Sequence, residues 1–192
     1  METTLGLRER KKAATRQALH EAALRLALEH GLERVTVEAI ADAASVSRRT
    51  FSNYFANKEE AILHRDQQRL RRLLRLVRER PEGEPPRTAL SRAALQVVED
   101  GYDPVWLAHR DLLRGHPSLL AHQVAAYGAV ERDLAAELAR RLADDPAAAL
   151  RARVLAATFL ASLRAAIQHW VEHPELVLAD VVEAALRYGV RG

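Results

Sequence analysis

Cysteine is absent from this chain of 192 residues, which excludes disulfide bonds, thiol catalysis and zinc sites with cysteine ligands. Aromatic residues make up only 5% of the sequence, whereas the 48% of hydrophobic residues are mostly Ala, Leu and Val. This composition favours packed helices over sheets, in which β-branched and aromatic residues are preferred. We therefore expect an all-α protein.

Long hydrophobic runs are also missing. The longest uninterrupted apolar or small stretch, residues 154–163, lies between Arg153 and Arg164 and is far too short to span a bilayer. The N-terminus has no apolar segment of the signal-peptide type. We therefore expect a soluble, cytoplasmic protein.

Charge is distributed unevenly along the chain. Residues 1–80 hold 17 Lys and Arg against 11 Asp and Glu, whereas residues 81–192 hold 12 against 15. The first segment therefore carries a net charge of +6 and the second a net charge of −3. Such an asymmetry suggests that the N-terminal part has a polyanionic partner.

The N-terminal part has the pattern of a helix-turn-helix. Apolar spacing predicts a first helix over residues 8–30, with Gly31 as a left-handed C-cap. A short second helix follows Thr36 and a third follows Ser47, because threonine and serine are favoured N-caps. The third helix runs to about Tyr54. Two short helices packed on a longer one in this way form a helix-turn-helix, whose second element enters the major groove of DNA.

A fourth, long helix is expected to open at Asn57, with Glu60 completing a variant of the capping box, and to run toward Arg80. The segment PEGEPP, residues 81–86, cannot continue this helix because proline lacks the amide proton. Further Ala/Leu-rich helices are predicted over residues 87–100, 104–114, 117–143, 146–172 and 175–189.

The third helix carries side chains that suit DNA recognition. The planar fork of arginine pairs with guanine O6 and N7, and asparagine pairs with adenine. Tyr54 and Lys58 are better placed for phosphates, and basic residues early in the first helix suit phosphates or a minor groove. The predicted DNA-contacting residues are Arg16, Thr36, Ser47, Arg48, Arg49, Thr50, Asn53, Tyr54 and Lys58.

The segment TVEAIADAASVSRRTFSNYFANKEE, residues 36–60, resembles the helix-turn-helix signature of TetR-like (tetracycline-repressor-like) transcriptional regulators. The likeness extends through LHEAALRLALEHG, residues 19–31. The resemblance implies a dimeric repressor that a small ligand releases from DNA. We place the DNA-binding domain at residues 1–58 and the ligand-binding and dimerisation domain at residues 59–192, with the fourth helix, about 58–80, as the connection.

Three positions depart from the usual pattern of that family. Ser45 stands in place of the turn glycine, and a left-handed backbone there would cost a non-glycine residue on the order of 1 kcal/mol. Ser52 stands in place of a phosphate-contacting tyrosine, and Ala27 in place of an aromatic residue near the end of the first helix. We therefore expect a slightly altered turn and a larger role for Tyr54 in phosphate contact.

The helix predicted over residues 146–172 is almost continuously apolar or small, so it must be buried on more than one side. Together with the last helix it suits a self-complementary four-helix contact between two subunits, with an intramolecular core as the alternative. A dimer sets two recognition helices roughly 34 to 36 Å apart, which predicts a palindromic operator. The predicted interface residues are Leu160, Leu163, Ile167, Trp170, Val181, Ala185 and Tyr188.

The middle helices mix large apolar side chains with a few polar groups, as ligand pockets do. The stretches 106–122 and 163–170 are similar to the mycofactocin-regulator-type subgroup, which implies an acyl-CoA-like effector, although a different hydrophobic effector, or none, fits equally. We expect no metal or other cofactor. The predicted ligand-lining residues are Tyr102, Trp106, His109, Arg110, Leu113, Val124, Tyr127 and Phe159.

Two alternatives to a DNA-binding regulator remain. His169, Glu172 and His173 match H-x-x-E-H, the spacing of a zinc-dependent hydrolase, but His173 directly precedes Pro174, where the helix should end. A helical adaptor that does not bind DNA is the second, and salt-dependent retention on duplex DNA would argue against it. We favour the regulator, which is not an enzyme.

Overall fold

A computed structural model describes residues 6–99, 115–142 and 145–189. All regular secondary structure in these ranges is helical, which confirms the prediction of an all-α protein. A 3₁₀ turn, Leu32–Arg34, follows the first helix. The α-helices are α1 Leu7–His30, α2 Val37–Ala43, α3 Arg48–Ser52, α4 Lys58–Ile62, α5 His64–Glu79, α6 Pro86–Glu99, α7 Pro117–Arg141, α8 Ala148–Glu172 and α9 Leu178–Tyr188.

The helix predicted over residues 104–114 lies outside the described ranges. Within those ranges, none of the helices is both long enough and apolar enough to cross a membrane. The described residues form two compact units, one from residues 6–67 and 115–123 and the other from the rest. Helices α5 and α7 contribute residues to both. The boundary predicted after residue 58 stays a prediction.

The core of the first unit is built from the helix-turn-helix and α1. Each of the helices α1 to α4 contributes one large side chain that is at most 1% exposed: Leu19, Ile40, Phe51 and Ile62. Leu119 of α7 is also fully buried in this cluster. A side chain from far along the chain therefore helps to complete the core of the N-terminal unit.

Helix α1 ends at a glycine whose backbone requires it. The N–H of Gly31 donates to the carbonyl oxygen of Ala27 at 3.0 Å, and Gly31 has φ 79° and ψ 147°. The positive φ agrees with the predicted cap, but ψ lies in the extended region rather than in that of a left-handed helix. A Cβ at Gly31 would meet nothing within 4 Å, so the constraint is the backbone conformation and not the space.

The predicted fourth helix is interrupted once, at Leu63, which separates α4 from α5 with φ −82° and ψ 0°. Hydrogen bonding continues across the break, because Leu63 N–H donates to the oxygen of Glu59 and Gln67 N–H donates to that of Leu63. The start of α4 confirms the capping prediction. Asn57 Oδ1 accepts from Glu60 N–H at 2.8 Å, while the Glu60 carboxylate accepts from the N–H of Ala56 at 2.7 Å.

The second unit is built around α8, which packs against α9 and α6. One buried arginine holds the end of α5 in this unit. Arg141, whose side chain is 3% exposed, donates to the carbonyl oxygens of Val77, Arg80 and Pro81 at 2.7 to 3.0 Å. The same guanidinium bonds the carboxylate of Glu137 at 3.0 Å. Arg141 therefore satisfies carbonyl groups that the end of a helix leaves without intrahelical partners.

Candidate nucleic-acid interface

The turn between α2 and α3 is a Schellman motif. Val46 N–H donates to the oxygen of Ala41, and Ser45 N–H to that of Asp42, both at 2.9 Å. Ser45 has φ 54° and is the only non-glycine residue with positive φ among the described residues. The left-handed backbone considered at this position is therefore present, and serine carries the strain that glycine would avoid. The turn sets the direction in which α3 leaves α2.

Two side-chain caps fix the starts of the helix-turn-helix elements. The hydroxyl of Thr36 accepts from Ala39 N–H at 3.1 Å, and that of Ser47 accepts from Thr50 N–H at 3.0 Å. The Ser47 and Thr50 hydroxyl oxygens also lie 2.9 Å apart. The predicted capping roles are confirmed, whereas contact of these side chains with DNA stays a prediction.

One side of α3 is anchored in the core and the other faces solvent. Phe51 and Phe55 are 1% and 3% exposed, with ring centroids 5.8 Å apart. Because these rings anchor this part of the chain in the core, the opposite face of α3 is left toward solvent. The exposed residues of this face are Arg48, Arg49, Ser52 and Asn53.

The basic start of α1 lies beside α3, which the sequence alone did not establish. An open groove of about 760 Å³ is lined by residues of both helices, and the Arg16 guanidinium carbon lies 5.5 Å from the ring centroid of Tyr54. This distance is that of a cation–π contact. The groove is lined by Leu7, Arg8, Glu9, Lys11, Lys12, Thr15, Thr50, Asn53 and Tyr54.

Lys58 has a local structural role that spacing did not reveal. Its ammonium donates to the carbonyl oxygens of Leu32 and Val35 at 2.9 and 3.0 Å, and its side chain is partly buried. Two of the three N–H groups of this lysine therefore hold the segment between α1 and α2. The predicted contact of Lys58 with phosphate stays a prediction.

A buried histidine pair beneath the interface also escaped the sequence analysis. His20 and His64 are 2% and 4% exposed, with ring centroids 5.9 Å apart. Nδ1 of His20 lies 2.8 Å from the carbonyl oxygen of Ala61, so Nδ1 carries the proton and donates. Burial lowers the pKa of His20 below its ordinary value of 6.5. The sequence held one signal of this burial: His20 directly follows Leu19, which the apolar spacing places on the buried side of the first helix.

Comparison with known proteins agrees with this geometry. Residues 19–63 match the family model of bacterial regulatory proteins of the tetR family, and residues 84–192 match that of the MftR C-terminal domain. The chain is 36% identical over 173 residues to the HTH-type transcriptional regulator TcmR of Streptomyces glaucescens, covering 86% of this chain and 76% of the relative. The chain belongs to the TetR family.

Two further relatives agree with a TetR-family regulator. MftR of Mycobacterium tuberculosis (strain ATCC 25618 / H37Rv), a candidate regulator of mycofactocin biosynthesis, is 27% identical over 92% of this chain and 89% of that protein. The second is Thermus thermophilus FadR, a TetR-family repressor whose crystal structure was solved in complex with lauroyl-CoA. The present chain matches that structure with 27% sequence identity and a TM-score of 0.54, over 92% of this chain and 94% of FadR. The helix-turn-helix resemblance in the sequence is confirmed.

The predicted effector residues of this TetR-family chain fall into two groups. Tyr102, Trp106, His109, Arg110 and Leu113 lie outside the described residues.

In the second group, Phe159 lines a cavity of about 290 Å³ in the second unit, whereas Val124 is 61% exposed and Tyr127 is half-buried. The sequence analysis missed the contributions of α6 and α9 to the cavity. Its lining comprises Arg87, Leu90, Ser91, Val154, Leu155, Thr158, Phe159, Ser162, Leu186 and Gly189.

The predicted interface residues differ in how much surface they offer. Leu160, Leu163 and Ile167 are at most 7% exposed within one chain, so their side chains are already used in the intramolecular core. Trp170, Val181 and Ala185 are half-buried, and Tyr188 is 77% exposed. An interface role for these seven residues stays a prediction. The apolar side chains that are exposed on or beside the same helices, and that the prediction omitted, are Leu150, Val154, Leu176 and Val177.

The zinc alternative gains no support from the structure. The rings of His169 and His173 lie 4.6 Å apart by centroid, but His173 caps the end of α8 and Nδ1 lies 3.4 Å from the carboxylate of Glu175. Among residues 6–99, 115–142 and 145–189, no group of three or more His, Asp or Glu side chains is arranged to hold a metal ion. The relatives found are transcriptional regulators.

Proposed function

We propose that this TetR-family regulator is a repressor that binds a palindromic operator as a homodimer and leaves it when a hydrophobic, acyl-CoA-like effector binds the C-terminal unit. The observation that carries the proposal is the outer face of α3. Its arginines and Asn53 lie on a helix that the Ser47 cap and two buried phenylalanine rings hold in place. A rigid helix with these side chains is suited to reading base edges in a major groove.

Recognition of the phosphate backbone is supported by the groove between α1 and α3. Arg8, Lys11, Lys12 and Arg16 lie on the first turns of α1, next to Tyr54. Several cations on one surface favour DNA through the release of counterions, so affinity should fall steeply with salt. These contacts position the protein, whereas the side chains of α3 select the sequence.

A homodimer is supported by exposed apolar surface at α8 and α9. Leu150 and Val154 on α8 are 67% and 55% exposed, and Val177 and Tyr188 at the two ends of α9 are 63% and 77% exposed. Exposed apolar side chains on two packed helices are available to an interaction surface. Members of the TetR family typically bind operators as dimers, and a two-fold dimer presents the same helices from both subunits.

An acyl-CoA-like effector is supported by the match to the MftR C-terminal domain and by the likeness to lauroyl-CoA-bound FadR. The described cavity supplies an apolar lining from Leu90, Leu155 and Phe159 with hydroxyl groups at Ser91 and Thr158. Apolar walls with a few convergent polar groups are typical of small-molecule sites.

The test is selection of the preferred DNA from a random duplex pool with the purified full chain. We expect a palindromic site, and Arg49→Ala should weaken binding and relax the choice at one base pair of each half-site by about 5- to 100-fold. Arg78→Ala is the matched control, because it removes one exposed arginine from α5 instead of α3.

The proposal is wrong if the protein enriches no sequence at low salt, or if Arg49→Ala leaves every base preference unchanged. Release of the selected duplex by lauroyl-CoA, with lauric acid and free coenzyme A as controls, tests the effector class separately. If none of the three compounds releases the duplex, the effector belongs to another chemical class. A protein that stays a monomer at high concentration contradicts the homodimer.

A further inference from the structure

The first arginine of α3 is paired with an acid from α2. Nη1 of Arg48 lies 3.1 Å from Oε1 of Glu38, which stands in the first turn of α2. The ion pair therefore connects the two short helices on their solvent side. Both side chains are largely exposed, 74% and 55%. Exposed pairs of this kind add little to folding stability, so stability does not explain the pair.

A carboxylate beside a recognition helix opposes DNA binding, because the phosphates carry the same sign of charge. An acid in the first turn does interact favourably with the dipole of α2. That interaction needs only the position of Glu38 along α2 and not its contact with Arg48. The contact has a second consequence, since it restricts the directions available to the guanidinium.

We propose that Glu38 is a positioning residue for base recognition by Arg48. Its carboxylate holds one edge of the guanidinium and leaves the other N–H groups directed toward a base. A guanidinium has five N–H donors and needs two of them for guanine O6 and N7, so it can bond an acid and a base together. Glu38 therefore helps to determine the base pair preferred where Arg48 reads. The inference rests on the proposed function, because it requires α3 to lie in a major groove.

The experiment compares the full chain with Glu38→Ala and Asp42→Ala on the duplex that the wild type selects and on its single-base variants. Asp42 is an exposed acid four residues later on α2, so its loss also removes one negative charge but leaves Glu38 with Arg48. We expect Asp42→Ala to bind every duplex about two- to threefold more tightly, because one repulsive charge is lost, and Glu38→Ala to gain as much only on duplexes altered at the base pair that Arg48 reads. Only Glu38→Ala should also lose about five- to tenfold of discrimination at one base pair of each half-site.

Arg48→Ala identifies that base pair independently, since it should lose the same preference. The double variant Glu38→Ala/Arg48→Ala should lose no more discrimination than Arg48→Ala alone, which is the non-additivity expected of two residues that act together. Glu38→Gln should fall between wild type and Glu38→Ala, because its amide oxygen still accepts from Arg48. Thermal unfolding of each variant checks that the fold is intact.

The inference is overturned if Glu38→Ala keeps every base preference and gains affinity like Asp42→Ala, since Glu38 then acts only through its charge. It is also overturned if Arg48→Ala leaves all preferences unchanged. Failure of the proposed function looks different, because the wild type itself then prefers no duplex.

Discussion

The guanidinium of Arg16 on α1 stacks over the ring of Tyr54, which follows α3, with 5.5 Å between its central carbon and the ring centroid. The contact joins the first helix to the end of the recognition helix and leaves both side chains partly exposed. It places a positive charge and a phenol on the same surface, where both can meet the phosphate backbone.

Arg16→Ala should therefore weaken binding to every duplex alike and lower the slope of log affinity against log salt by about one unit. Tyr54→Phe should keep the stacking but lose the hydroxyl, so it should weaken binding less and leave the salt slope unchanged. Fluorescence anisotropy titrations at several salt concentrations measure both. A change in preferred sequence with Arg16→Ala would contradict a phosphate-contacting role.

Replacing Ser45 by glycine should stabilise the protein. Glycine relieves the left-handed strain at φ 54° but adds freedom to the unfolded chain, so the expected net gain is about 0.5 to 1 kcal/mol. The neighbouring Ala44 has φ −92°, and Ala44→Gly should lose about 0.5 to 1 kcal/mol instead. Urea unfolding followed by circular dichroism distinguishes the two, and equal effects of both would argue against strain at Ser45.

Removal of the Lys58 ammonium should destabilise the first unit even without DNA. Lys58→Met keeps most of the aliphatic chain but leaves the carbonyl oxygens of Leu32 and Val35 without their charged donor, at a cost of about 1 to 3 kcal/mol. Urea unfolding measures the loss, and the exposed Lys12→Met on α1 is the matched control. If Lys58→Met unfolds like wild type and only weakens DNA binding, its main role is phosphate contact.

The stability of the first unit should fall below about pH 6.5 because of His20. Burial lowers the pKa of His20 in the folded state, and the charge of Arg65 lowers it further. The hydrogen bond to Ala61 and the charges of Asp66 and Glu21 raise this pKa, but burial outweighs them. The unfolded chain then takes up a proton that the folded chain does not, so the unfolding free energy decreases as pH falls from 6.5 through the folded pKa. Above that range His20 is neutral in both states and contributes no pH dependence.

Urea unfolding between pH 7.5 and 5.0 measures this effect. His20→Asn keeps an N–H donor near the position of Nδ1 and does not titrate, so it should flatten the dependence. His30→Asn is the matched control, because His30 is exposed at the end of α1. A slope that survives in His20→Asn would assign the pH dependence to another group.

Loss of Arg141 should be among the most damaging single changes in the second unit. Arg141→Ala removes the donor of three carbonyl groups and leaves Glu137, which is 6% exposed, without its buried partner. Breaking a buried ion pair costs about 3 to 5 kcal/mol. The loss is measured by thermal unfolding, with Arg140→Ala as the control. The Arg140 side chain is 63% exposed and bonds the same carboxylate, so its loss should cost much less.

Features that depend on a few neighbouring residues were predictable from the sequence. The caps at Thr36, Ser47 and Asn57 follow from side chains that bond amides three residues later, and the structure shows all three. The left-handed conformation of Ser45 was considered because the TetR-like pattern has a glycine at this position, and the structure shows a positive φ there. Local hydrogen bonding decides these positions, and tertiary packing does not override it.

Contacts between distant segments were not predictable. The Lys58 ammonium meets carbonyl groups 23 and 26 residues earlier, whereas its charge and its place at the start of a helix had indicated a phosphate contact. Leu119 completes the first core although it lies on α7, a helix assigned by pattern to the ligand-binding domain. The interface prediction for Leu160, Leu163 and Ile167 came from the apolar pattern of their helix, which does not distinguish a side chain buried within its own chain from one left exposed, and it stays a prediction.

Arg141 donates to main-chain oxygens of Val77 in the last turn of α5 and of Arg80 and Pro81 after it. These bonds depend on the path of the backbone and not on the identity of the three residues, whereas Glu84 within PEGEPP is constrained by its side-chain bonds to Arg80 and Arg92. A library that varies this connector at fixed length but keeps Glu84 should yield many folded members, whereas insertion of a single residue there would displace the acceptors and should be poorly tolerated.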